Sequence, residues 1–154
     1  MPCSAISSPF RGLSVLGLMN DNPLTITSIL QHAMKWHPDE PIVSRLIGSE
    51  GDRNASGHHR YTYLEMAERS CQLASALVRV LDVKQGERVA TLAFSSYRHM
   101  EAYYGIPGVG AICHTINPRL HEEQLNYILN DAADGLIFVV GWYLVSLIHP
   151  VFPV

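Results

Sequence analysis

Residues 88–94 read Arg-Val-Ala-Thr-Leu-Ala-Phe, an apolar run rich in residues that favour β-strands. Two further apolar runs follow at residues 111–116 and 136–140, so the three starts lie 23 and 25 residues apart. Each gap holds a helix pattern. Continuous apolar strands that alternate with helices are typical of a parallel sheet covered on both faces. The sequence therefore predicts a βαβαβ unit of the α/β class.

The gaps between these strands carry helix signals. In the first gap, Ser95-Ser96 can cap a helix over Tyr97–Ile106, which Pro107 would kink or end because proline lacks the amide donor. In the second gap, Asn117-Pro118 predicts a turn. A helix opened by two acidic residues follows it, with one apolar face: Glu122 and Glu123, then Leu125, Ile128, Leu129 and Ala132.

The part of the chain before residue 62 predicts a helix and a hairpin. Apolar residues recur at helical spacing from about Thr27, and His37-Pro38-Asp39 would stop that helix. Two β-type runs, Pro41–Ile47 and His58–Tyr63, flank the polar, glycine-bearing stretch 48–57. We expect these runs to pair as a hairpin on the surface.

The longest helix is predicted over residues 63–81. Thr62 followed by Glu65 matches a capping box, in which both side chains satisfy amides at a helix start. Behind it, apolar residues step by three and four positions and predict the buried face: Leu64, Ala67, Cys71, Ala74, Val78 and Leu81. Cys71 is therefore interpreted as a small core residue rather than a reactive thiol.

The composition limits the classes of protein. Of the 154 residues, 47% are hydrophobic and 16% are charged, which excludes a disordered chain. The net charge of −3 argues against binding to a phosphate backbone, so we expect no nucleic-acid partner. The three cysteines, Cys3, Cys71 and Cys113, are widely spaced, which indicates neither a zinc site nor a disulfide framework.

No catalytic, cofactor-binding or metal-binding residue is assigned from spacing alone. The glycine-rich run 105–110 ends a predicted helix instead of opening one, so close helix–sheet packing explains it better than phosphate binding. Adjacent residues on a strand point to opposite faces, so His58 and His59 are poor joint metal ligands. His114 lies inside a predicted strand and needs a polar partner there; a general-base role is the alternative.

Three tyrosines lie on the predicted helix over residues 97–106: Tyr97, Tyr103 and Tyr104. Their spacing is that of an ordinary amphipathic helix. We interpret them as core residues whose hydroxyls reach outward, with a stacking surface for a ligand as the alternative.

A series of motifs runs through residues 17–140. The most specific is His114-Thr-Ile-Asn-Pro-Arg-Leu120. Others precede it in the chain: Gly17-Leu-Met, Asn22-Pro-Leu24, Arg60-Tyr-Thr-Tyr63, Gly86-Glu-Arg-Val-Ala-Thr-Leu-Ala93, Tyr97-Arg-His99 and Gly108-Val-Gly-Ala111. Together they resemble the N-terminal part of a fatty-acid–CoA ligase, a member of the adenylate-forming acyl-activating enzymes.

The resemblance implies a large enzyme of two domains. Such an enzyme joins a medium- or long-chain fatty acid to ATP as an acyl-adenylate, with magnesium, and then transfers the acyl group to coenzyme A. The family's phosphate loop ending in Pro-Lys-Gly, its aromatic-Gly-x-Thr-Glu run, its hinge aspartate and its catalytic lysine match no stretch of these 154 residues. We therefore expect this chain to bind no cofactor and to be inactive by itself.

The two ends depart from the family pattern. Residues 1–16 are interpreted as a disordered N-terminal extension, and residues 17–140 as a partial ligase domain. Residues 141–154 are interpreted as a divergent apolar tail, and this tail suggests a truncated form of the ligase. Residues 135–154 contain no Asp, Glu, Lys or Arg. An uncharged segment of about twenty residues could span a membrane. Clustered His149, Pro150 and Pro153 argue against a span. The short apolar run at residues 13–19 is cut off at Asp21 without a cleavage site, so we expect a cytoplasmic protein rather than a secreted one.

An incomplete parallel sheet leaves apolar edges without partners. We expect self-association, or pairing with a full-length ligase as a non-catalytic interaction module. A fragment anchored in a membrane through residues 136–154 is the weaker alternative.

Overall fold

The computed structural model describes residues 23–45 and 57–139. Predictions for the N-terminal extension, the hairpin loop and the apolar tail lie outside the described residues. The elements follow in chain order: α1 (Ile26–Trp36), β1 (Pro41–Arg45), β2 (His58–Thr62), α2 (Tyr63–Arg79), β3 (Arg88–Leu92), α3 (Tyr97–Gly108), β4 (Ile112–Ile116), α4 (Glu122–Ala132) and β5 (Leu136–Val139).

The predicted hairpin is confirmed. β1 and β2 pair antiparallel, with Pro41 opposite Thr62. Backbone hydrogen bonds from Tyr63 N to Glu40 O and from Leu64 N to the carbonyl of Pro38 extend this contact into the first turn of α2. The hairpin is therefore fixed to the start of that helix.

The predicted βαβαβ unit is also confirmed. Its three strands form a parallel sheet in the order β4-β3-β5. In the central strand, Val89 lies opposite Cys113 of β4 and Leu136 of β5. Residues 89–92 are at most 1% exposed, as a strand covered on both faces requires.

The helices divide between the two faces of this sheet. On one face, Leu77 of α2 and Ile106 of α3 pack with Val89. On the other, Leu125 of α4 packs with Leu92. The connection from β3 to β4 thus crosses one face of the sheet, and the connection from β4 to β5 crosses the opposite face. The direction in which the chain winds through the sheet therefore reverses, with β3 in the centre.

A separate apolar cluster joins α1 and the hairpin to the two central helices. Its buried members are Leu30, Tyr61, Met66, Ala67 and Tyr97. This cluster holds α1 and the hairpin against the βαβαβ unit without adding a strand to its sheet.

The capping box predicted at the start of α2 is confirmed. The Glu65 amide donates to Oγ1 of Thr62 at 3.2 Å, and the Thr62 amide donates to Oε2 of Glu65 at 2.7 Å. The helix ends at Arg79, two residues before the predicted end.

The predicted buried face of α2 is correct only in part: Ala67 is buried and Cys71 is half-buried. Leu64 and Val78 are 43% and 48% exposed, whereas the buried residues are Met66, Ala67, Ser70 and Leu77. The two stripes are adjacent on the helix surface, and both carry apolar side chains. Because α3 and the hairpin pack against the Met66 side of the helix, tertiary packing buries the stripe that contains Met66 rather than the one that the spacing predicted.

Two predictions about α3 also need correction. The helix continues to Gly108 and includes Pro107 in its last turn, where the missing donor removes a single hydrogen bond. The close packing expected of the glycines occurs at Gly105, but its neighbour is α2 rather than the sheet. A Cβ there would lie 3.0 Å from Leu73 Cδ2 and 3.1 Å from the Ser70 carbonyl oxygen.

Candidate functional site

The carboxyl edge of the parallel sheet is the first candidate site. In open parallel sheets, ligands bind beyond the carboxyl ends of the strands, where the winding changes direction. Here that edge consists of residues 93–96 after β3 and residues 117–121 after β4. Residues that follow β5 lie outside the described part of the chain.

Phe94 and Arg119 meet at this edge. The guanidinium carbon of Arg119 lies 5.7 Å from the centroid of the Phe94 ring, which is 46% exposed as a residue. The Arg119 amide donates to Oδ1 of Asn117 at 3.0 Å and so fixes the turn. A cation over an exposed aromatic face can contact an anionic or planar group. From the sequence, Arg119 was predicted to lie in a motif and Phe94 at the end of an apolar strand; β3 ends at Leu92 instead and leaves Phe94 beyond the strand.

An open cavity of about 490 Å³ lies between α1, the start of the hairpin and α3. Leu30, Met66 and Met100 contribute apolar walls, and His32 and Glu40 contribute polar groups. The lining mixes a carboxylate with an imidazole and apolar side chains, so it does not single out one ligand charge. Two residues singled out from the sequence, Tyr63 and Tyr104, also line this cavity.

His114 has the polar partner that its position in a strand requires. Its Nδ1 lies 2.9 Å and 3.0 Å from the two carboxylate oxygens of Asp134, across the sheet from β4 to the start of β5. The side chain of Asp134 is 1% exposed and that of His114 is 27% exposed. The structure places no nucleophile beside this pair among the described contacts.

His99 and Cys113 both lie close to the buried hydroxyl of Thr91. Nε2 of His99 is 3.0 Å from Oγ1 of Thr91, and burial lowers the pKa of the imidazole. Burial raises the pKa of the Cys113 thiol, and its hydrogen bond with Thr91 only partly opposes that shift. Both groups are therefore held in their neutral forms, which disfavours a thiolate nucleophile here.

The interpretation of the three tyrosines is correct in part. Tyr97 is buried and stacks on His59, with ring centroids 3.7 Å apart. Tyr103, at 40% exposure, lies outside the core and contacts the His99 ring. Tyr104 is half-buried beside the cavity.

Neither a metal cluster nor a membrane helix is found where the structure can be described. Across residues 23–45 and 57–139, no three His, Cys, Asp or Glu side chains are grouped to hold a metal ion. In the same two segments, no helix has the length and hydropathy to cross a bilayer.

Residues 30–151 match the family described as AMP-binding enzyme. The chain belongs to this family. Its fold agrees: the anthranilate CoA ligase AuaEII, solved with anthranoyl-AMP, superposes with a TM-score of 0.66 at 24% identity, over 82% of this chain and 23% of that one.

Curated relatives narrow the homology to acyl-CoA ligases. The chain is 39% identical to a 3-methylmercaptopropionyl-CoA ligase of Ruegeria lacuscaerulensis, over 84% of this chain and 23% of that protein. It is 36% identical to a medium-chain-fatty-acid–CoA ligase of Ectopseudomonas oleovorans, over 90% of this chain and 24% of that protein. It is 41% identical to a long-chain-fatty-acid–CoA ligase of Thermus thermophilus, over 77% of this chain and 20% of that protein. The chain thus spans a fifth to a quarter of these relatives.

Proposed function

We propose that these residues belong to the lineage of ATP-dependent ligases that activate medium- or long-chain fatty acids as acyl-adenylates for transfer to coenzyme A. The observation that supports this most is the 36–41% identity to medium- and long-chain-fatty-acid–CoA ligases over at least 77% of the chain. ATP, magnesium and coenzyme A are the cofactors that such a reaction uses.

Within that lineage, we propose that the 154 residues supply scaffold rather than chemistry. Stabilisation of a transferring phosphoryl or adenylyl group depends on cations and amide donors that converge on it. Two of the described buried or half-buried polar pairs are instead engaged internally, in the His114–Asp134 and His99–Thr91 contacts. The chain by itself is therefore expected to leave fatty acids unactivated.

The direct test is fatty-acid-dependent exchange of pyrophosphate into ATP by the purified, monodisperse chain. A full-length long-chain-fatty-acid–CoA ligase serves as the positive control, and circular dichroism establishes that the sample is folded. No exchange above background from a folded sample is the expected result. Exchange that depends on the fatty acid would contradict the scaffold role, although it would agree with the ligase lineage.

A second candidate function is a non-catalytic module that pairs with a full-length ligase. Among the described residues, β4 and β5 each pair only with β3, so each presents one unpaired side. Ile112 of β4 is 51% exposed, which adds apolar surface at that edge. Co-purification of the tagged chain with a full-length ligase would support this function, provided that Ile112→Lys abolishes it and Val80→Lys, at an exposed residue at the end of α2, does not.

A further inference from the structure

The apolar pattern of β5 does not specify its register on β3. Leu136 and Phe138 pack with the core on the α2–α3 side, and Ile137 and Val139 pack on the α4 side. A slip of one residue exchanges the faces of a strand, which is costly only where one face is polar. Here both faces are apolar, so a slipped strand would still bury apolar side chains.

The chain just before β5 is tied to the sheet by polar contacts. The Asp134 carboxylate accepts from Nδ1 of His114, and the Gly135 amide donates to the Arg88 carbonyl at 3.0 Å. Ala133 stands in the left-handed region at φ 49°. Such a conformation is unfavourable for a residue with a Cβ and persists where neighbouring contacts hold it.

A small residue makes the His114–Asp134 contact possible. Ala90 lies directly opposite His114 on β3, at 0% exposure, so the imidazole can reach across the central strand towards the start of β5. A strand advances about 3.3 Å per residue. A slip of one residue would therefore separate Asp134 from His114 or force its carboxylate into the apolar face, where an unpaired charge is strongly unfavourable.

We propose that the His114–Asp134 pair is the register lock of β5: it selects the observed pairing with β3 from alternatives that the apolar sequence permits. The pair acts on strand placement and takes part in no chemistry. Its role is therefore independent of the proposed ligase lineage.

Comparing Asp134→Leu with Asp134→Asn tests whether the hydrogen bond to His114 holds β5 in place or only adds to the stability of the whole chain. Leucine removes the acceptor, whereas the asparagine Oδ1 still accepts from Nδ1 of His114. Amide hydrogen exchange of residues 136–139 should increase about tenfold in Asp134→Leu relative to residues 88–92, since a hydrogen bond to a buried carboxylate is lost. Asp134→Asn should stay within a few-fold of the unsubstituted chain. Asp131→Asn, which changes the charge of an exposed neighbour on α4, is the matched control.

Engineered cysteines report the register itself. Leu92 lies opposite Val139, so Leu92→Cys with Val139→Cys should form a disulfide in the observed register, whereas Leu92→Cys with Phe138→Cys should form one only after a slip. Adding Asp134→Leu should reduce the first crosslink, and adding Asp134→Asn should preserve it. If Asp134→Leu does not fold, His114→Gln provides the same comparison at a partly exposed position. Unchanged crosslinking and exchange in both Asp134→Leu and His114→Gln would overturn the proposal.

Discussion

Arg69 of α2 and Glu101 of α3 join the two central helices through a bidentate contact. Nε of Arg69 donates to Oε1 of Glu101 at 2.7 Å, and Nη2 donates to Oε2 at 3.2 Å. The Glu101 side chain is 10% exposed and that of Arg69 is 48% exposed. The hydrogen bond to Glu101 raises the pKa of the guanidinium. The burial is therefore unequal, and the two partners should respond differently to substitution.

Arg69→Met should destabilise the chain more than Glu101→Gln does. The first change leaves a buried carboxylate without its cation and should cost about 2 kcal/mol, whereas the second leaves a guanidinium that water can reach and should cost about 1 kcal/mol. Urea unfolding followed by circular dichroism measures both values. Arg79→Met, at an exposed arginine of the same helix, should change the free energy of unfolding little; the reverse order of the two main variants would contradict this account.

The burial of His99 should make stability depend on pH. The pKa of His99 is lowered by burial, so the folded chain binds this proton less readily than the unfolded chain. The contribution of neutral His99 to the free energy of unfolding is fully present above about pH 6.5, the pKa of an unfolded histidine. It is lost as the pH falls below that pKa towards the lower pKa of the folded chain. His99→Gln should therefore flatten the loss of unfolding free energy between about pH 7 and pH 5. His32→Gln, at an exposed histidine, is the matched comparison, and an equal flattening in both variants would argue against His99 as the source.

Gly105→Ala should destabilise the contact between α2 and α3. The added Cβ would press on Leu73 and on the backbone carbonyl of Ser70, and the backbone cannot move aside as a flexible side chain can. We expect a loss of about 1–3 kcal/mol in thermal or urea unfolding. Gly108→Ala lies in the same helix with nothing within 4 Å of the new Cβ, so it should be neutral or slightly stabilising. Equal effects at the two glycines would show that helix propensity, and not packing, decides the result.

Ala133→Gly should stabilise the chain. Ala133 adopts φ 49°, which glycine tolerates without a Cβ clash, so a gain of about 0.5–1 kcal/mol is expected from relief of strain. Ala132→Gly, one residue earlier in the ordinary helical conformation, should instead lose about 1 kcal/mol. Matching losses at both positions in urea unfolding would mean that residue 133 is not strained.

Local signals predicted most elements because they act over a few residues. The Thr62–Glu65 capping box, the Ser96 cap of α3 and the apolar runs of β3, β4 and β5 each carry their own evidence, and the structure confirms them. The predicted end of α3 differs from the observed one: Pro107 stands inside the last turn because a proline there removes one hydrogen bond without breaking the turns before it.

The α/β class, the hairpin, the three parallel strands and, through the motif His114–Leu120, the resemblance to acyl-CoA ligases could all be predicted from the residues. Three features became visible only in the folded chain: which stripe of α2 is buried, which helix lies against Gly105 and which carboxylate contacts His114. Each of these depends on residues brought together from distant parts of the chain. An amphipathic spacing cannot reveal how far a helix is rotated against its neighbours, and a polar residue within a strand does not identify its partner.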